Sequence, residues 1–130
     1  MSGSYSEEHS AKRLSEQSAA RKAVRTARRL VVKIGSSSIS HAGGGLDREK
    51  LDTLTTALEQ RMAAGSDVFV VSSGAISAGI TPLELHKRPR DIATKQAAAA
   101  VGQIELAKAW GESFSRYESC LLYTSDAADE

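Results

Sequence analysis

Leu30-Val31-Val32-Lys33-Ile34-Gly35-Ser36-Ser37-Ser38 is an apolar run broken by one lysine and closed by a glycine and three hydroxyls. A short run of branched apolar residues ending at glycine reads as a strand buried on both faces, as in a parallel sheet. Lys33 is the odd member. An ammonium there either reaches solvent or meets an anion, because leaving it buried and unpaired costs roughly several kcal/mol. Gly35 allows a tight turn, so the N–H groups of the serine loop can converge where the lysine points, an arrangement suited to phosphate.

Working outward, a second strand-like run, Val68-Phe69-Val70-Val71, ends in Ser72-Ser73-Gly74-Ala75. Between the two runs lie a glycine-rich stretch, Ser40 to Gly45, read as a flexible loop, and then the signals of a helix. Asp47 is a good N-cap, Leu46 can staple onto Leu51, and Leu51, Leu54, Leu58 and Met62 form an apolar stripe. Gly65 stands where a helix end favours a left-handed residue. Strand, helix, strand at this spacing is a parallel βαβ unit with an expected right-handed crossover. Parallel strands end on one edge of the sheet, so the Lys33-Ser37 and Ser72-Ala75 loops should share a crevice.

Downstream, Ala75 to Gly79 predicts a short helix whose first N–H groups can hold a carboxylate or phosphate. Pro82 and Pro89 bracket a basic loop with His86, Lys87, Arg88 and Arg90. From about Asp91 to Trp110 the chain reads as a long alanine-rich helix, with Ala97, Ala100, Ile104 and Ala107 on the face expected to pack against a sheet or another subunit. Gly102 and Gly111 should each weaken that helix by about 1 kcal/mol relative to alanine.

The chain has 130 residues, room for one domain with a genuine core. No stretch approaches the roughly 20 apolar residues of a membrane span, and no segment near Met1 resembles a signal peptide, so a cytoplasmic location is expected. The single cysteine, Cys120, excludes an internal disulfide, and His9, His41 and His86 lack ligand spacing, so no metal site of protein side chains is expected.

Residues 1–28 form a basic leader, expected to be disordered to about Ser10 and then a marginal helix running from Ser15 into Arg29. Seven cations between Lys12 and Arg29 face only Glu7, Glu8 and Glu16. Such an arm can meet nucleic acid or an anionic membrane, but without interleaved aromatics a solvated leader is the stronger reading. Residues 120–130 break the preceding pattern and read as the translation of a transposon-type sequencing adapter, to be left out of fold reasoning. All 17 Lys and Arg precede Cys120 while Asp126, Asp129 and Glu130 follow it, so residues 1–119 carry +4 rather than +1.

Neither a Walker A loop nor a Gly-x-Gly-x-x-Gly fingerprint is present, and no Ser-His-Asp arrangement can be assembled. Taken singly, Lys33 reads equally well as a strand-end lysine snorkelling to water, and Ser72 and Ser73 as caps of the next helix. Taken together, two strand ends of one βαβ unit with donor-rich loops, one bearing a cation, point to anion binding.

Val31-Val-Lys-Ile-Gly-Ser-Ser37, Val70-Val-Ser-Ser-Gly-Ala-Ile-Ser-Ala-Gly79 and Lys95-Gln-Ala-Ala-Ala-Ala-Val-Gly-Gln103 resemble, in order, three blocks of the glutamate 5-kinases of the amino-acid kinase superfamily. The similarity spans roughly Arg28 to Tyr117; the first block is shared loosely across the superfamily, the second and third are more specific. The resemblance implies an α/β fold: the N-terminal part, truncated, of a three-layer α/β/α sandwich around a mostly parallel sheet, occupying residues 29–119. It implies phosphoryl transfer from ATP, with Mg²⁺ carried mainly on the ATP phosphates, to the γ-carboxylate of L-glutamate in proline synthesis. By the same resemblance Lys33 is catalytic and binds ATP phosphates with Gly35 and Ser36, while Ser73, Gly74 and Ala75 bind glutamate. A full-length member is expected to be a homo-oligomer, with no nucleic-acid or membrane partner through this stretch. The aspartate, asparagine, second lysine and adenine pocket of that family lie beyond these residues, so this chain alone is expected to be inactive. Two alternatives stay open: the kinase half of a bifunctional pyrroline-5-carboxylate synthase, and a non-catalytic anion-binding module using the basic arm.

Overall fold

The computed structural model describes residues 3–117, so the Cys120 tail lies outside the described residues. The element order is α1 (Gly3–Thr26), β1 (Arg29–Ile34), a 3-10 turn (Ser36–Ser38), α2 (Arg48–Ala63), β2 (Asp67–Ser72), α3 (Ala75–Ile80) and α4 (Ile92–Phe114). β1 and β2 pair in parallel, with Lys33 opposite Val71 and Ile34 opposite Ser72. The result is the mixed α/β unit with a parallel sheet that the sequence pattern predicts.

α2 starts and stops where its signals sit. The Asp47 carboxylate accepts from the Lys50 amide at 3.2 Å, and Gly65 just past the helix has φ +94°. Leu51 and Leu58 are buried, while Leu54 and Met62 pack beside them. A hydroxyl also sits in this interface. Thr55 is fully buried, and Ser113 of α4 donates to Thr55 at 2.8 Å or to Asp52 at 2.6 Å.

The strands are not buried on both faces. Val32, Ile34, Val68 and Val70 join one core with α2 and α4, whereas Val31, Phe69 and Val71 on the other face are more than half exposed. Each strand therefore alternates, because among the described residues helices cover only one side of the sheet.

α4 also presents a face other than the expected one. Ala98, Gly102, Leu106, Ala109, Trp110, Ser113 and Phe114 are buried, while Ile104 is 68% exposed and Ala97 and Ala100 point outward. The two rings of Trp110 and Phe114 stack 6.0 Å apart in the core, and backbone contact with α3 fixes the other end of the face. A Cβ on Gly102 would overlap the Ala75 carbonyl oxygen, and one on Gly79 would overlap that of Ala98. The glycine that weakens α4 as a helix is what lets α3 lie against it.

α1 begins at Gly3 and ends at Thr26, where the expected helix ran from Ser15 into Arg29. Glu, Ala, Lys, Arg and Leu continue upstream of Ser15 and favour helix, whereas Arg29 is drawn into the ladder opposite Asp67. The described side chains of α1 are exposed, and its C-terminal end is tied down from α2. The Arg61 guanidinium donates to the carbonyls of Val24, Arg25 and Ala27 at 3.1, 2.6 and 3.1 Å.

Candidate functional site

The carboxyl ends of the two strands meet. Gly35 is extended, the serines turn through 36–38, and Ile39 is fully buried beneath them. The Ser73 amide donates to the Ile34 carbonyl at 2.9 Å, which carries the second loop across the first. Gly74 then adopts φ +115°, a left-handed conformation costly for residues with a Cβ. A Cβ there would also sit 3.3 Å from Ile39 Cδ1 and 3.6 Å from Ser36 Cα. Gly35, Ser36, Ser73, Gly74 and Ala75 thus form one cluster, with Ala75 buried at the start of α3.

The serines after β2 do not cap α3. Gly74 occupies the N-cap position and no side chain accepts there; Ser72 instead accepts from Trp110 Nε1 at 3.2 Å and donates to the Ser73 carbonyl. The capping alternative fails because Gly74 turns the chain in the left-handed region before the helix begins. Lys33 lies on the open sheet face beside Val31 and Val71 and makes no ion pair among the described residues. Its ammonium is available to an anion, and it is apart from the cavity described next.

The glycine-rich stretch after the serine turn is fastened rather than loose. Ser40 bridges Leu46, His41 accepts from the Gly44 amide and donates to Gly45, and the Gly45 amide reaches the Ser77 carbonyl at 3.0 Å. Gly44 and Gly45 hold φ +100° and +85°, and side chains there would strike Ile80 and Thr81. This closed loop, the serine turn and the basic loop line an open cavity of about 560 Å³. Ser36, Ser37, Ser40 and Lys50 line it on one side and His86, Lys87 and Arg88 on the other. The site residues Lys33, Gly35, Ser73, Gly74 and Ala75 do not line it. The sequence reading noted the basic loop but gave it no role; the signal was the consecutive His86, Lys87 and Arg88 just before Pro89. A further concavity of about 710 Å³ lies along α1, but all its lining residues belong to that one helix and no second element closes it.

Among the described residues no group of three or more His, Cys, Asp or Glu could hold a metal ion. No helix there is long and apolar enough to cross a membrane.

The sequence profile of the amino acid kinase family matches residues 28–128. This chain belongs to that family. Over 100 residues it is 65% identical to the glutamate 5-kinase of Nocardia farcinica and 63% identical to that of Rhodococcus opacus. Each alignment covers 77% of this chain and 27% of the relative. The glutamate 5-kinase of Corynebacterium diphtheriae is 54% identical over 111 residues, which is 82% of this chain and 30% of that protein. The chain therefore spans little more than a quarter of the length of these amino acid kinase relatives. The crossing loops of the cluster and the three sequence blocks all fall inside the matched region.

Proposed function

We propose that this chain carries the first part of an ATP-dependent kinase that phosphorylates the γ-carboxylate of L-glutamate, giving glutamyl 5-phosphate. The observation that carries the reading is the crossing of the two strand-end loops, in which Gly74, turned at φ +115°, lies against Ser36, a Cβ on it falling 3.6 Å from Ser36 Cα. The 54–65% identity to proteins named glutamate 5-kinase supports the choice of substrate.

In this reading Lys33 binds the ATP phosphates and offsets charge developing on the transferring group. Gly35 and Ser36 admit the phosphate chain to close backbone approach, and Ser73, Gly74 and Ala75 hold glutamate. Phosphoryl transfer depends chiefly on positioning and electrostatic stabilisation, which an exposed, unpaired lysine beside a turn of amides can supply. Mg²⁺, when bound with ATP, would be carried mainly on the phosphates and would neutralise their charge. The polypeptide by itself is inactive in this reading, the remaining contacts to both substrates belonging to the rest of the relatives' length.

The test is a chimaera in which residues 28–119 replace the matching stretch of the Nocardia farcinica relative. Glutamyl phosphate trapped with hydroxylamine should form at a rate dependent on both ATP and glutamate. Lys33→Ala in the chimaera should lower turnover by about 10²-fold. Near-normal turnover in that variant would remove the role given to Lys33. Product from the isolated 130-residue chain above its Lys33→Ala control would overturn the inactivity.

A further inference from the structure

We infer that the cavity between the glycine loop and the basic loop is a second anion site, one that takes a phosphate-type group. It shares Ser36 with the cluster above but is otherwise built from other residues, so it stands whether or not the kinase reading does.

Two independent features point to a ligand. Ser40 is 5% exposed and lines the cavity, and its hydroxyl has no hydrogen-bond partner. A buried hydroxyl without a partner costs stability unless something in the cavity accepts from it. The charges facing it are all of one sign. Lys50, Lys87 and Arg88 line the cavity and no carboxylate does. Lys87 and Arg88 are exposed and make no ion pair among the described residues. Lys50 is held in the lining, its ammonium donating to the Ser40 carbonyl at 2.9 Å and pairing with the Asp47 carboxylate at 3.9 Å.

Charge chooses the ligand class. An amino acid brings an ammonium, and the lining offers it no carboxylate. A phosphate group brings two negative charges and several acceptor oxygens for three cations and a hydroxyl, and guanidinium forks suit it. The source is either a free phosphate or the phosphate chain of a nucleotide.

Inorganic phosphate titrated calorimetrically into the 130-residue chain at low ionic strength provides the test. Saturable binding is expected. Lys87→Ala with Arg88→Ala should weaken it at least tenfold, Ser40→Ala about threefold, and Lys33→Ala less than twofold. Lys87 and Arg88 are exposed, so the double variant should keep the wild-type circular dichroism spectrum. ATP that displaces the phosphate identifies a nucleotide as the source; ATP and phosphate bound together identify an independent phosphate site, and both support the inference. Absence of phosphate binding overturns it. So does binding that falls with Lys33→Ala and ignores Lys87 and Arg88, a result that would leave the kinase reading intact.

Discussion

α1 and α4 are nearly equal in length, 24 and 23 residues, and opposite in how they are held. α1 is composed of good helix formers, has exposed side chains along its described length, and is gripped at one end by Arg61. α4 contains Gly102 and Gly111, poor residues for a helix interior, yet buries seven residues against α2, α3 and the sheet. Isolated helices are marginal in water and gain most of their stability from packing. The better helix by composition is therefore the weaker element of the fold, and the glycine that lowers propensity in α4 is the one that allows its closest contact.

That contrast breaks most directly at Gly102. Gly102→Ala raises helix propensity by about 1 kcal/mol, so if composition governed α4 the variant would be more stable. The added methyl has no room against the Ala75 carbonyl and the Gly79 amide nitrogen, both backbone atoms that cannot rotate away. The expected result in urea unfolding is a net loss of about 3 kcal/mol or more. Ala20→Gly in exposed α1 is the paired control and should cost at most about 1 kcal/mol. Equal losses at both positions would end the distinction between the helices.

A smaller effect is expected at Arg61. Hydrogen bonds from a charged donor contribute about 1.5–3 kcal/mol each when well made, less where water competes. Arg61→Ala removes two donations to the last turn of α1 and one to Ala27 just past it, while Ser66 Oγ still reaches the Ala27 carbonyl at 2.9 Å. Amide exchange in the last turns of α1 should accelerate while α4 amides keep their protection. Loss of protection in α4 as well would mean that α1 belongs to the same cooperative unit.

Much of this was legible in the chain because the signals were local. Asp47 as a cap, Gly65 as a helix terminator, and glycines closing both strands each act within a few residues of themselves. What failed depended on partners far away in sequence. Alternation was hidden in Leu30–Ile34 and Val68–Val71 because both faces are apolar, and only the distribution of helices decides which is covered. The face of α4 was hidden by four successive alanines, which look alike from every side; Gly102 facing Gly79, and Trp110 with Phe114, decide it. In the site, the two loops were readable as strand ends on one edge. The closed Ser40–Leu46 loop and the approach of His86, Lys87 and Arg88 were not, because no periodicity or cap encodes a contact between two irregular segments.

The smallest expected effect concerns how α4 begins. Asp91 accepts from the Thr94 amide at 2.8 Å, and its hydrogen bonds to Thr94 hold the carboxyl below the ordinary aspartate range. A carboxylate whose folded-state pKa is depressed stabilises the fold above its unfolded pKa, and that contribution disappears as pH falls through the folded value. Asp91→Asn keeps an acceptor at the cap but cannot titrate and gives no charge to the helix N-terminus. Thermal midpoints of the two proteins should therefore differ at neutral pH, with wild type higher, and converge in acid below the folded-state pKa of Asp91. A gap that stays constant with pH would show that the cap works through geometry alone. α4 would then rest almost wholly on its packed face, which sharpens its contrast with α1.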